Sequence, residues 1–261
     1  MAEIIRSAES IAHWPFPLPG PGNPVAAGDR VNRPAPNTTQ RLYWTLRGPL
    51  ASSIAVLDRP PKEGSHTFAP FYDTGTGAYH PIAALPVSEP RVSSMTVHVE
   101  LLQDWEDNWD NWHYQHSEPG MEYEGSEWGV LGGEQNAQDF DIDDLVPLRC
   151  CGDPRPVGKD VSLVVRASFS GDEGDDEDGS FVTVRDYVTA VHPWLMSLRN
   201  DMLGALGTLN GDDNPYPQLT PLFVEDILLN MVTIMTQEEW MHGKTVPEGL
   251  LAAYPPQQIE V

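Results

Sequence analysis

Carboxylates recur at every second position in the segment "DFDIDD", which places Asp139, Asp141 and Asp143 where positions 1, 3 and 5 of a calcium-binding loop would lie. The rest of that pattern does not follow, because Asp144 replaces the required glycine and Cys150 replaces the bidentate glutamate. In a strand the three carboxylates would share one face and repel each other. The segment therefore predicts either an exposed acidic edge or a divalent-metal site. Together with His113, such a site would make the protein a divalent-metal-binding protein or a metal-dependent hydrolase, which is the alternative function that the sequence offers.

Histidine and cysteine provide the other potential metal ligands. His113 and His116 follow Asp110 and could offer imidazole nitrogens to zinc, but no cysteine pair stands at a diagnostic spacing from them. We expect both histidines at the surface. Cys150 and Cys151 are adjacent, a disulfide between neighbours is strained, and no histidine-bearing catalytic motif adjoins them.

Two further groups of residues give weaker evidence for a functional site. The acidic run at 171–180 fits no calcium-binding register, so we expect a hydrated connection between two core elements. Asp186 and His192 stand six residues apart, which turns them to different sides of a helix, and Asp186 is better placed to cap that helix. No Gly-x-Ser-x-Gly motif and no glycine-rich phosphate loop occurs, so the sequence favours a non-enzymatic protein without cofactors.

Three tryptophans in "QDWEDNWDNWHYQH" follow helical spacing, i, i+4 and i+7. Such a stripe is either core or the floor of a groove that binds lysine and arginine by cation–π contact, with the neighbouring aspartates adding charge. For the second reading, the partner-binding residues are Trp105, Trp109, Trp112, Asp104, Asp107 and Asp110.

The charge balance limits the classes of molecule that the protein is expected to bind. The 261 residues include 39 acidic and 15 basic side chains, a net charge of −24, and no Lys or Arg occurs between Arg91 and Arg149. Phosphate backbones and anionic membranes repel such a surface, whereas a basic protein or peptide is attracted. No long apolar run and no secretory signal is present, and two cysteines cannot build a disulfide framework. We expect a cytoplasmic or nuclear location.

The elements that must position these residues can be read from periodicity and capping signals. "RVSSMTVHVELL" and "KDVSLVVRASF" predict strands. Thr183 predicts the start of a helix through "VTVRDYVTAVHPWL", kinked or divided at Pro193, and Thr236 with Glu239 predicts a short helix that stops at Gly243. Between them, Thr220-Pro221 and an all-apolar run predict a buried helix over 221–235.

These elements predict an α+β fold in which an antiparallel sheet of a few strands packs against C-terminal helices. We expect a Pro/Gly-rich extended arm at 1–40, a single domain at 41–245 with a long loop at 117–139, and a loosely held tail at 246–261.

The order of C-terminal signals resembles a fungal domain family of unknown function. Its pattern is a strand, then Val-Thr-Val-x-Asp followed by His-x-x-Leu, then a helix starting Thr-x-x-Glu-Trp. The matching residues are Val182, Thr183, Val184, Asp186, Val191, His192, Leu195, Thr236, Glu239 and Trp240. The resemblance implies a fungal origin and a compact α+β fold, and it implies no activity.

Overall fold

A computed structural model describes residues 33–34, 38–114, 125–132, 145–168, 180–210, 215–228 and 230–255. The chain divides into two units, Met1–Val31 and Asn32–Val261, and all of these residues belong to the second. Several predicted features therefore lie outside the described residues: most of the N-terminal arm, His116, the aspartates 139, 141 and 143, and the acidic run 171–179.

The described part of the chain contains fourteen strands and six α-helices. The strands are β1 (Arg33–Pro34), β2 (Leu42–Thr45), β3 (Ile54–Leu57), β4 (Phe68–Pro70), β5 (Tyr72–Asp73), β6 (Ala78–Tyr79), β7 (Ser88–Glu89), β8 (Ser94–Val99), β9 (Glu127–Gly129), β10 (Val146–Cys150), β11 (Asp153–Pro154), β12 (Ser162–Arg166), β13 (Leu222–Leu228) and β14 (Met231–Thr236). The helices are α1 (Glu100–Gln103), α2 (Trp105–His113), α3 (Val184–Ser197), α4 (Arg199–Leu209), α5 (Gln237–Met241) and α6 (Leu250–Ala253). Within the described ranges, no helix has the length and apolar character needed to cross a membrane.

The central sheet has seven strands in the order β12-β8-β14-β13-β2-β3-β4, and all its neighbours are antiparallel except β14 and β8. Shorter sheets are β11-β10-β9, β5-β6 and β1-β7. Together with the helices, this is the α+β architecture that the sequence predicts.

Both faces of the sheet are covered, which explains why every residue of β2 and β3 is buried. Trp44 and Ile54 point into the larger core, which also holds the apolar sides of α1, α3 and α4. Their strand neighbours Tyr43 and Ala55 point the opposite way, into a second cluster with Trp240 of α5. Successive strand residues alternate between faces, so a doubly covered strand reads as a continuous apolar run.

The capping predictions at Thr183 and Thr236 are confirmed. Thr183 and Asp186 form a reciprocal capping box at the start of α3, and Thr236 and Glu239 form the same arrangement at α5. Each box satisfies two backbone N–H groups that the first helical turn leaves without intrahelical partners. Helix α3 runs through Pro193, and the division from α4 comes later, at Leu198.

The helix predicted over 221–235 is wrong. This segment forms the antiparallel hairpin of β13 and β14, with Asn230 in the turn. The hairpin lies in the middle of the sheet, with β13 beside β2 and β14 beside β8, so apolar residues face both covering layers. An apolar run without alternation fits a buried strand as well as a buried helix, and the Val, Ile and Thr content favours the strand.

Two loop predictions also need correction. Residues 246–255 are not a loose tail, because Leu250 and Tyr254 are buried in the cluster around Tyr43. The Tyr43 hydroxyl also donates a hydrogen bond of 3.2 Å to the Tyr254 carbonyl oxygen. Within the long loop predicted over 117–139, β9 pairs with β10.

Candidate functional site around helix α2

Helix α2 carries most of the candidate partner-binding residues, and its inward face is set by spacing. Trp105, Trp109 and His113 stand at i, i+4 and i+8, which aligns them on one side of a helix. Trp109 is 0% exposed and His113 is 1% exposed, so the stripe turns into the protein. Trp112 lies off this line and is 47% exposed.

Trp105 fixes α2 against α4. Its ring lies so close to Gly204 that a Cβ there would be 2.9 Å from the indole carbons Cζ2 and Cη2. The indole N–H donates a hydrogen bond of 3.0 Å to the hydroxyl of Thr208, one helical turn further along α4. Trp105 thus serves the packing of two helices rather than an open groove.

Further along the same inward side of α2, Trp109 fixes the helix against the β10–β11 hairpin. Its indole N–H donates a 2.9 Å hydrogen bond to Oδ2 of Asp153. The same Asp153 oxygen lies 3.8 Å from Nε2 of His113, whose ring is 4.4 Å from that of Trp109 between centroids. A buried indole needs an acceptor for its N–H, and Asp153 supplies it.

Arg155 neutralises two carboxylates of α2. Its Nε donates a 2.6 Å hydrogen bond to Glu106. Its Nη1 and Nη2 donate hydrogen bonds to Oδ1 and Oδ2 of Asp110, respectively. Burial acts to lower the pKa of Arg155, but these charge-assisted hydrogen bonds outweigh it and raise the pKa. Asp110 is therefore already occupied by an internal cation, which weakens its place among the candidate partner-binding residues.

The solvent side of α2 keeps its negative charge. Asp104, Asp107 and Asn111 are exposed along one side of the helix, and the exposed Trp112 stands at its border. Partial desolvation, followed by the negative charges of Glu100 and Asp107, raises the pKa of Asp104. A cation approaching this side would relieve that repulsion. We call Asp104, Asp107, Asn111 and Trp112 the outer face of α2.

At the C-terminal end of α2, His113 meets both cysteines. Cys151 and Gly152 form the two-residue turn between β10 and β11, with φ of +53° and +86°. A non-glycine residue in this left-handed region costs roughly 1–2 kcal/mol. The turn brings the Sγ atoms of Cys150 and Cys151 to 3.9 Å, and the ligand atoms of the two cysteines and His113 all lie within 4.8 Å of one another.

The surface position predicted for His113 is therefore wrong. The signal that would have found its burial is the i+4 step from Trp109, which continues the inward stripe more directly than Trp112 does. The cysteines carry a signal too, because "CCG" ahead of a strand is compatible with a tight turn that would fold the thiols together. The sequence alone does not show that this turn contacts α2.

His192 and Asp186 serve the fold. Nδ1 of His192 accepts a 3.0 Å hydrogen bond from the indole of Trp44, and its Nε2 lies 2.9 Å from the Gly48 carbonyl oxygen. Asp186 accepts hydrogen bonds from the backbone N–H and the hydroxyl of Thr183. Partial burial acts to raise the pKa of Asp186, but hydrogen bonds from Ser168 and Thr183 outweigh it and lower the pKa.

No family model, no curated protein and no solved structure matches this chain. The resemblance to the fungal domain family of unknown function therefore stays a prediction. The residues that carry it are structural: Thr183 with Asp186 and Thr236 with Glu239 begin helices, and Trp240 is buried.

Proposed function

We propose that the protein is a non-enzymatic interaction module whose partner is a basic protein segment, docked on the outer face of α2. The observation that carries the proposal is the surplus of carboxylate over basic side chains, 39 against 15. A surface with that surplus attracts cationic partners and repels nucleic acid and anionic membranes.

Internal contacts occupy several of the few basic side chains. Lys159 pairs with Asp201 at 2.8 Å, and Lys244 pairs with Glu225 at 3.2 Å. Arg47 and Arg199 donate hydrogen bonds to backbone carbonyl oxygens. Because each ion pair uses one acid and one base, the net charge of −24 remains to be balanced from outside the chain.

The outer face of α2 combines the two groups that bind lysine and arginine best. Asp104 and Asp107 supply charge, and their mutual repulsion with Glu100 falls when a cation arrives. Trp112 adds an indole that is 47% exposed, and a cation over an exposed aromatic ring gains about 0.5–1 kcal/mol. The partner that fits this face is a Lys/Arg-rich segment, because an apolar or acidic segment would make no favourable electrostatic interaction with these carboxylates.

The test measures binding of a fluorescent Lys/Arg-rich peptide, with a Glu-rich peptide of equal length as the reference, over rising salt. We expect binding of the basic peptide alone, weakening as salt screens the charges. Replacing Asp104 and Asp107 together by Asn should weaken it about 3–20-fold, and Trp112→Ala about 2–5-fold.

The matched control is Glu248→Gln, which removes one exposed carboxylate just before α6, beside the second cluster on the opposite face of the sheet. It should leave binding within about 2-fold of the wild type. Binding indifferent to salt, or an effect of Glu248→Gln equal to that of the α2 variants, would refute docking on this face.

The second function predicted from the sequence was a divalent-metal protein or metal-dependent hydrolase using His113 with Asp139, Asp141 and Asp143. Those aspartates lie outside the described residues, and His113 is buried among other groups. We further propose a cytoplasmic or nuclear location and a fungal source. Cys150 and Cys151 are not joined in a disulfide, as is usual in a reducing compartment.

A further inference from the structure

We propose that His113, Cys150 and Cys151 form a binding site for one zinc-class cation, separate from the outer face of α2 and independent of the basic partner. We call these three residues the thiol–imidazole cluster. Their ligand atoms, two sulfurs and one ring nitrogen, all lie within 4.8 Å of one another. His113 lies in the last turn of α2, Cys150 ends β10, and Cys151 begins the β10–β11 turn.

The donor types select the class of cation. Thiolate sulfur and imidazole nitrogen are the ligands that zinc prefers, whereas calcium and magnesium require oxygen. A cluster of two sulfurs and one nitrogen is therefore a zinc-class site rather than the oxygen-based calcium site that the aspartates of the sequence suggest.

The geometry is close to that of tetrahedral zinc. Zn–S bonds of about 2.3 Å at tetrahedral angles place two sulfurs about 3.8 Å apart. The Sγ atoms of Cys150 and Cys151 are 3.9 Å apart. Closing the widest separation in the cluster, 4.8 Å at most, to the S–N distance of about 3.6 Å requires a movement of about 1 Å.

The backbone produces this arrangement at a cost. Neighbouring residues in a strand send their side chains to opposite faces, which would separate two adjacent thiols. Cys151 instead takes the left-handed conformation, with φ of +53°, and the two sulfurs converge. A non-glycine residue held in this region is the kind of local strain that collects at binding sites.

Burial gives the cluster a closed side and an open side. Cys150 is 0% exposed and His113 is 1% exposed, so two ligands are held away from water by the surrounding packing. Cys151 is exposed, which gives a cation and a fourth ligand such as water a route in. A route of entry and a fixed inner shell are both needed for a usable metal site.

Asp153 is placed to act through His113. Its Oδ2 lies 3.8 Å from His113 Nε2 and is itself fixed by the hydrogen bond from Trp109. Histidines that bind zinc commonly direct their second ring nitrogen to a carboxylate, which sets the tautomer and the ring orientation. With Nδ1 of His113 on the cation, the gap between Nε2 and Asp153 would need to close by roughly 0.5–1 Å to form this hydrogen bond. Asp153 would then be a positioning residue, and its removal should weaken zinc binding without removing a ligand.

The test uses the full chain with its thiols kept reduced by a phosphine, which itself carries no sulfur. Zn²⁺ affinity is measured by competition with a chromogenic chelator, and Co²⁺ is added as a spectroscopic probe. We expect one ion per chain and a thiolate-to-cobalt charge-transfer band. Because Cys151 is exposed, Cys151→Ser should fold normally; it should lose about half of that band and bind Zn²⁺ at least about tenfold more weakly.

Two further variants complete the design. Asp153→Asn should keep the charge-transfer band and lose about 10–100-fold in Zn²⁺ affinity, which a purely structural role would not produce. His66→Gln removes an exposed imidazole away from the cluster and should behave as the wild type. Cobalt bound without a thiolate band, equal Zn²⁺ affinity in Cys151→Ser, or thiols that stay joined as a disulfide under the phosphine would each overturn the proposal.

Discussion

The indole N–H of Trp44 donates a 3.0 Å hydrogen bond to Nδ1 of His192, and both side chains are buried between β2 and α3. The other ring nitrogen, Nε2, lies 2.9 Å from the carbonyl oxygen of Gly48 and must carry the proton to donate to it. The pair therefore fixes one neutral tautomer of His192. Protonation would set an N–H of the imidazole against the N–H of Trp44.

Stability should therefore depend on pH through His192. Burial lowers its pKa, although the hydrogen bond to Gly48 acts the other way. The folded state then binds fewer protons than the unfolded state at mildly acidic pH, so this stabilisation is complete above the unfolded value of about 6.5 and is lost as pH falls below it. We expect the free energy of unfolding, measured in urea, to fall as the pH drops below about 6.5.

His192→Gln tests this assignment. It should lower the free energy of unfolding by about 1–3 kcal/mol at pH 7.5, because the hydrogen bonds to Trp44 and Gly48 are disturbed, and it should flatten the slope below pH 6.5. Burial, with a smaller effect from the nearby Arg41, also lowers the pKa of His80, so part of the slope remains. His66→Gln removes an exposed imidazole and should keep the wild-type free energy of unfolding at pH 7.5. Equal pH slopes in the wild type and His192→Gln would assign the pH dependence elsewhere.

The capping box of α3 gives a second prediction. Thr183→Ala removes the side-chain oxygen that accepts from the Asp186 backbone N–H at 3.1 Å. We expect a loss of about 1 kcal/mol in the free energy of unfolding. Thr189→Ala is the matched control, since Thr189 is exposed inside the same helix and alanine has the higher helix propensity there. A control variant as unstable as Thr183→Ala would argue against the cap.

Local signals explain what could be predicted of the fold. The boxes at Thr183 and Thr236 and the alternation in β8 are short-range patterns, and each leads to the element observed. The hairpin of β13 and β14 has no such pattern, because both faces of each strand are covered and the apolar run is continuous. Its position between β2 and β8 depends on pairing across most of the chain.

In the candidate site, too, local patterns could be predicted from the sequence and tertiary contacts could not. Helical spacing identifies Trp105 and Trp109 as one face, and the local sequence contains the step that adds His113 to it. That face contacts the Cys151–Gly152 turn, which lies far away in the sequence. The periodicity of neither segment predicts this contact. For the same reason, sequence alone could not show that Asp110 is held by Arg155.

The packing of α2 on α4 gives a third prediction. Gly204→Ala should destabilise the protein by about 1–3 kcal/mol, because the new methyl group would lie 2.9 Å from the Trp105 ring. Helix propensity favours alanine by about 1 kcal/mol and offsets part of this cost. In a Trp105→Phe background the clashing carbons are gone, so the same substitution should cost less. Thermal or urea unfolding of the four proteins measures the coupling, and strict additivity would contradict the contact.

The ion pairs between Arg155 and two carboxylates of α2 give the last prediction. Its side chain is 8% exposed and holds Glu106 and Asp110 together. Arg155→Met should lower the free energy of unfolding by about 2–3 kcal/mol at neutral pH, because two neighbouring carboxylates lose their shared cation. Arg155→Lys should recover only part of the loss, since an ammonium group cannot reproduce the forked contact with Asp110.

The control for Arg155 is Lys159→Met. Lys159 also pairs with a carboxylate, that of Asp201, but its side chain is 39% exposed. Water and salt screen such a pair, so its removal should cost at most about 1 kcal/mol. The difference between the two methionine variants should persist at high salt, because the burial of Arg155 limits screening of its contacts. Equal losses for both variants, or a loss at Arg155 that high salt abolishes, would show that the bridge adds no more than an ordinary surface ion pair.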